Sequence, residues 1–234
     1  MNITFTPAVF KKFPRLQVVF ILAEDIDNTT KLKESQHLLK EMALLVKQTF
    51  HKDTLQTHQL VSPWEVARQG FGKKAKHYHT SLETLLTQTL QSKNFLRKEV
   101  ITNLIHFIAL KHLVPISVDD VKKIEGKIRF DIARGNVPQE LEKSFREREE
   151  LQKGDIYYAD QKKILGAKLD FWKNTTTQPM KKTTAVLIHF EALPPLTTEK
   201  IKKISAELIL LLKNFCGGKI KGIIINKSKN KGVI

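Results

Sequence analysis

The sequence predicts an α/β (α+β) fold built as one domain. Short apolar runs rich in β-branched residues, typical of buried strands, alternate with longer segments whose apolar residues recur at helical spacing. The 234 residues are enough to bury a substantial hydrophobic core. Because the chain contains no internal repeat and no low-complexity linker, we expect a single domain over residues 1–234.

The first half of the chain predicts a buried strand followed by four helices. The strand covers residues 17–23, an apolar run with a proline before it and aspartates after it. Two threonines then cap a helix over residues 31–50, whose apolar side chains follow helical spacing. Three further helices are predicted over residues 63–69, 82–91 and 97–113, and the last ends before Pro115.

The second half predicts mainly strands and one long helix. Strands are expected over residues 116–120, 127–133, 156–159, 163–169, 185–190 and 222–226. Thr197 and Thr198 cap a helix that runs to about residue 215, and a Gly-Gly pair ends it. The charged segment 142–153 is predicted as an exposed helix or loop, and the basic tail from Lys227 is expected to fray.

The chain is strongly basic, with 40 Lys and Arg against 24 Asp and Glu and a net charge of +16. Such an excess favours a polyanionic partner, because basic surfaces bind phosphate backbones through charge neutralisation and counterion release. A lysine-rich proteome would produce the same excess, so charge alone leaves the partner open. No apolar run approaches the ~20 residues that span a bilayer, and residues 1–14 lack a signal-peptide pattern. We expect a cytoplasmic protein with no membrane association.

The sequence offers no support for a cofactor or a metal. It has neither a Walker-type glycine loop nor a dinucleotide-type glycine triplet, so we expect no nucleotide cofactor. Cys216 is the only cysteine, and the eight histidines form no His-x-x-x-His pair beside an acidic residue. His77 and His79 lie in a basic loop that suits phosphate or solvent better than a metal. A Gly-x-Ser-x-Gly nucleophile motif is also absent.

Several short motifs follow one another in a fixed order from Trp64 onwards. Trp64 opens a helix, a basic glycine-containing loop ends at Tyr78, Ser81 caps a leucine-rich helix, and Pro115 closes an apolar helix. Further motifs lie at residues 119–120, 126–129, 154–160, 168–177, 183–186 and 217–218. In this order and spacing they resemble the aminoacyl-tRNA-editing module of the phenylalanyl-tRNA synthetase β subunit, the B3/B4 domain, in its free-standing form.

The resemblance covers nearly the whole chain, with its main motifs in residues 63–193. It implies a single B3/B4-like domain with a mostly antiparallel sheet and packed helices, and tRNA as the partner. The chemistry it implies is hydrolysis of the ester between a wrong amino acid and the terminal ribose of tRNA. That ester is already activated, so a pocket can act by orienting water and the neighbouring ribose hydroxyl.

The resemblance also suggests site residues. In the synthetase module, a Thr-Asn pair on the proline-terminated helix and a His two residues after that proline line the pocket. Counting from Pro115, these positions hold Ile105, His106 and Ser117 here, and a Thr-Asn pair at residues 102–103 lies three residues earlier. We predict His106 and Ser117 as catalytic residues facing one cavity with Arg129, and with Asp160 or Trp172 nearby. The predicted substrate-binding residues are Asn103, Asp119, Arg129 and Asp160.

Basic residues interleaved with an aromatic are the predicted RNA contacts. Lys168, Trp172 and Lys173 lie where free-standing members carry Arg, an aromatic and Arg, and such a set suits base stacking and phosphate pairing. Lys73 and Lys74 in the basic loop are further candidates for the tRNA backbone. Three functions stay open: a trans-acting aminoacyl-tRNA hydrolase, a non-catalytic RNA-binding or protein-interaction module that kept the fold, and a module that acts on small molecules.

Overall fold

Ten strands form the framework of the protein, which we describe from a computed structural model covering residues 1–51, 57–135 and 151–234. In chain order they are β1 (Asn2–Phe5), β2 (Gln17–Glu24), β3 (Ser117–Asp120), β4 (Ile128–Ile132), β5 (Ile156–Ala159), β6 (Ile164–Ala167), β7 (Trp172–Lys173), β8 (Ala185–Ala192), β9 (Lys219–Ile225) and β10 (Lys231–Val233). They divide between two sheets, one of four strands and one of six.

The four-stranded sheet has the order β3-β8-β2-β9 and is antiparallel throughout. One row of paired residues crosses it completely, from Ser117 through His189 and Phe20 to Ile223. The six-stranded sheet has the order β10-β1-β4-β5-β6-β7, in which only the β1–β4 pair is parallel. Ser117 therefore lies on an edge strand, and the outer side of that strand pairs with no other strand of the described sheet.

Six helices lie in the described ranges: α1 (Pro7–Lys12), α2 (Leu32–Thr49), α3 (Ser62–Gln69), α4 (Ser81–Leu90), α5 (Val100–His112) and α6 (Thr198–Cys216). Helices α2, α4, α5 and α6 share one hydrophobic core with the four-stranded sheet. In the described residues, no helix has the length and apolar character needed to cross a membrane.

The alternation of side chains along β8 separates two cores. Val186, Ile188 and Phe190 face the helices, whereas Leu187 packs in a second core between the two sheets. Strand pleating places His189 and Glu191 on the same side as Leu187. Two titratable side chains are thereby buried between the sheets.

The predicted fold class is confirmed: a mixed α/β domain whose sheets are mostly antiparallel. The strand at residues 156–159 has the predicted bounds, and those at 17–23 and 127–133 agree with β2 and β4 within one residue. The helix predicted from residue 97 begins at Val100, because Glu99 is still extended (φ −114°, ψ 127°). Of the charged segment 142–153, residues up to 150 lie outside the described ranges.

The two ends of the chain differ from the prediction. The tail from Lys227 was expected to fray, but β10 pairs with β1 from Asn2↔Val233 to Thr4↔Lys231, so that prediction is wrong. The sequence pattern also missed β1 and α1, and it did not indicate that the strands divide between two sheets. Strands β1 and β10 pair with each other, and pairing between residues so far apart in the chain leaves no local signal.

Candidate functional site

An open cleft of about 520 Å³ lies at the β3 edge of the four-stranded sheet. Its walls come from α4, from one face of α5, from β3 and from the segment around residues 170–173. Thr102 and His106 both line it, because residues four apart share one face of a helix. The lining carries both signs of charge, with Arg97 and Lys173 against Glu99 and Asp170.

His106, on the cleft wall, has a strongly lowered pKa and a buried ring nitrogen without a partner among the described residues. Burial and the nearby charge of Arg97 lower its pKa from 6.5 to about 4, and a hydrogen bond with the backbone of Phe95 only partly opposes this. Its Nδ1 is buried and has no hydrogen-bond partner in the part of the chain that is described. Leaving a buried polar atom unpaired costs about 1–3 kcal/mol. The ring is therefore neutral at pH 7, and its buried Nδ1 is left unpaired among the described residues.

Ser117 reaches the cleft from the first position of β3. Its Oγ donates to Asp170 Oδ1 at 3.0 Å, and the backbone N–H of Ser81, at the start of α4, donates to the other oxygen of that carboxylate. Burial raises the pKa of Asp170, although these hydrogen bonds and the charge of Lys173 oppose the rise. Asp170 thus ties the helix start to the sheet edge and holds the Ser117 hydroxyl in a fixed orientation.

Lys173 connects the cleft to a buried polar network. Its Nζ donates to Asp119 and to the hydroxyl of Tyr158, whose oxygen lies 2.9 Å from His189 Nε2. Tyr158 can lie flat on the neighbouring strand only because residue 166 is glycine: a Cβ there would be 2.2 Å from the Tyr158 ring. The cation of Lys173 is therefore held in place by groups from both sheets.

Glu191 lies at the inner end of this network. Its Oε1 is 3.7 Å from His189 Nδ1, and its Oε2 has no hydrogen-bond partner among the residues described. Burial and the negative charge of Asp170 raise its pKa from 4.5 to about 8. Burial likewise keeps the pKa of His189 well below its ordinary value. Glu191 and His189 are thus both mainly uncharged at neutral pH.

We expect Glu191→Gln to change how stability depends on pH. Between pH 4.5 and about 8 the folded protein holds a proton on Glu191 that the unfolded chain has released, so this residue lowers the free energy of unfolding as pH rises. Urea unfolding between pH 5 and 9 should show the variant gaining stability relative to wild type as pH increases. The exposed Glu41→Gln is the control, and a constant difference between Glu191→Gln and wild type would contradict the prediction.

The structure brings His106 and Ser117 to one cleft, but it places three other predicted residues elsewhere. Arg129 is largely exposed on β4 and pairs with Asp131 at 2.8 Å. Asp160 accepts hydrogen bonds from the backbone of Glu125 and of the turn that follows it. Asn103 is buried. Its side-chain oxygen accepts from the backbone N–H of Arg97, and its side-chain amide donates to the backbone carbonyl of the same residue. The placement of Arg129 and Asp160 at the cavity is therefore corrected.

Among the predicted RNA contacts, the structure contradicts Lys168. Lys168 is only 2% exposed, and its Nζ donates to the Tyr78 hydroxyl at 2.7 Å. Lys173 is engaged in the polar network, and Trp172 is half-buried. The side chains of Lys73 and Lys74 lie outside the described part of the chain. Lys168 cannot contact RNA from this position, since its amine lies inside the protein.

Sequence patterns missed several groups of the site and misplaced one. Tyr158 and Asp170 lie inside the motifs at residues 154–160 and 168–177 but were not predicted as site residues, and His189 stands in an apolar run typical of a core strand. Asp119, predicted to bind substrate, is buried and accepts from Lys173 and from the Thr177 hydroxyl. It therefore contacts the cleft only through Lys173.

The fold and the cleft define a mixed α/β domain with a polar site at one sheet edge. The family model of the B3/4 domain matches residues 64–208, more than half of the chain, and the chain belongs to the B3/4 domain family. It is similar to an N-terminal fragment of the phenylalanyl-tRNA synthetase β-subunit from Pyrococcus horikoshii, with 14% identity and a TM-score of 0.42. That match covers 95% of this chain and 53% of the fragment, so the chain spans about half its length. No curated protein matches the chain.

Proposed function

We propose that this protein is a trans-acting aminoacyl-tRNA editing module, which binds the aminoacylated end of tRNA in the β3-edge cleft and hydrolyses the ester. The proposal rests on one observation: His106 and Ser117 line the same cleft. Both occupy positions that line the pocket in the synthetase module that the sequence resembles. Membership of the B3/4 domain family supports tRNA as the partner.

The hydrolysis needs no strong nucleophile. Water attacks the ester carbonyl carbon, the bond to the ribose oxygen breaks, that oxygen takes a proton, and the amino acid leaves as its carboxylic acid. Donors aimed at the charge that develops on the carbonyl oxygen lower the barrier. We assign the neutral ring of His106 to positioning the ester, and the Ser117 Oγ, whose own proton goes to Asp170, to accepting a hydrogen bond from the attacking water.

Deacylation of a panel of mischarged tRNAs by the purified protein tests this proposal. We expect at least one aminoacyl-tRNA to lose its amino acid faster than in buffer alone, in proportion to enzyme concentration, without ATP and in the presence of a chelator. A protein that binds tRNA but releases no amino acid from any member of the panel would be a non-catalytic RNA-binding module. A small aminoacyl ester that is hydrolysed as well as the tRNA would favour action on small molecules.

A further inference from the structure

Strand β9 of the four-stranded sheet and strand β10 of the six-stranded sheet are joined by a tight turn. This carboxy-terminal segment, which we call the hairpin although its two strands pair in different sheets, carries a row of lysines. Lys219, Lys221, Lys227, Lys229 and Lys231 fall in this segment, and no Asp or Glu occurs from Gly217 to Ile234. Within the described ranges, Lys219 is the one that makes an ion pair, with Asp25 at 3.2 Å. No carboxylate within the described ranges pairs with the other four lysines.

Hydrogen bonds and close packing hold the backbone of the hairpin in shape, so the positions from which these lysines extend are fixed. Asn226 Oδ1 accepts hydrogen bonds from the backbone N–H groups of Ser228 and Lys229, which closes the turn. Gly232 lies so close to β9 that a Cβ would be 2.7 Å from Ile223 Cδ1. Since residue 232 faces the protein, its neighbour Lys231 faces solvent, where it is exposed. A rigid cationic surface loses less entropy on binding than a mobile tail.

A further cation lies beside the turn. Arg15 and Lys227 line one open groove of about 890 Å³, to which Glu199 contributes the only carboxylate among the described residues. No ion pair of Arg15 occurs in the part of the chain that the structure describes. The groove and the turn together carry four cations, Arg15, Lys227, Lys229 and Lys231, and one carboxylate, that of Glu199, among the described residues. This excess of positive charge attracts a polyanion.

The hairpin lies across the four-stranded sheet from the cleft. The residue row from Ser117 reaches Ile223 after three strand spacings, about 14 Å at ~4.8 Å each. That straight line runs through the buried middle of the sheet, where His189 and Phe20 are each 1% exposed, so an RNA that contacts both edges follows a longer path over the surface.

We propose that this hairpin, with Arg15, is a binding surface for the phosphate backbone of RNA, separate from the cleft. As a tRNA-binding surface it rests on the proposed function, although it does not require hydrolysis. The segment from Gly217 to Ile234 contains no aromatic residue on which bases could stack. The surface therefore recognises the charge of the RNA backbone and not the RNA sequence. It supplies the backbone contacts that the buried Lys168 cannot make.

The test replaces Lys227, Lys229 and Lys231 together by Gln and measures tRNA binding at several salt concentrations. Removing one lysine–phosphate pair should reduce the slope of log affinity against log salt by about 0.9, so the slope should fall by about 2–3. We expect about tenfold or more weaker binding at 0.1 M salt, to a similar extent for different tRNAs. The matched control replaces the exposed Lys33, Lys40 and Lys203 by Gln, which changes net charge equally.

Equal effects of the two triple substitutions would overturn the inference, because only total charge would then matter. An unchanged affinity of the hairpin variant, or no binding of tRNA by wild type at low salt, would also overturn it. Binding to vesicles with anionic lipid, without binding to tRNA, would assign the surface to membranes. A wild-type protein that hydrolyses no ester would contradict the editing function. The inference would still stand if the hairpin variant, but not the control variant, bound tRNA more weakly than wild type. Circular dichroism shows that the variants are folded.

Discussion

Lys173→Met should lower the free energy of unfolding by about 3–5 kcal/mol, the usual cost of breaking a buried ion pair. Its amine contacts Asp119, which is 0% exposed, and its charge also stabilises the ionised forms of Asp170 and Glu191. Without Lys173, the carboxylate of Asp119 keeps only the Thr177 hydroxyl as a hydrogen-bond partner among the side chains of the described residues. The result is an uncompensated charge inside the protein.

A double-mutant cycle measured by urea unfolding checks this prediction. Adding Asp119→Asn to Lys173→Met should recover part of the stability, because the orphaned charge is then gone. Lys162→Met is the control: it breaks an ion pair with Glu125 on the surface, where such pairs contribute little. If Lys173→Met costs no more stability than Lys162→Met, the buried network does not hold this site together.

Apolar periodicity was enough to predict most of the fold. Strand β2 and helix α5 are long enough for a clear pattern, and each buries nearly all of its apolar residues, as expected. Strands β1 and β10 could not be found this way, because they pair with each other across the full length of the chain.

The site was predicted only where helical spacing or a motif position fixed it. His106 and Ser117 were placed by counting from Pro115, and both line the cleft. Lys168 was misplaced because a lysine in a basic, aromatic segment resembles a surface contact. The structure instead buries it against Tyr78, which lies ninety residues earlier in the chain, a partner that the sequence does not reveal.

The central claim is that the β3-edge cleft is the place where ester hydrolysis occurs, and His106→Ala tests it most directly. The variant should reduce the single-turnover rate of deacylation by about tenfold to a hundredfold, which is the low end of what one positioned polar group contributes. Affinity for tRNA should stay within about twofold, because the backbone contacts that we propose for the hairpin do not involve His106. The exposed His37→Ala serves as the matched control and should leave both quantities unchanged.

The decisive measurement is therefore the deacylation rate of His106→Ala at saturating protein, alongside its tRNA affinity and its unfolding curve. A reduced rate with affinity and fold retained is the predicted result. A folded His106→Ala protein that deacylates tRNA as fast as wild type and His37→Ala would contradict the claim that this cleft performs the hydrolysis.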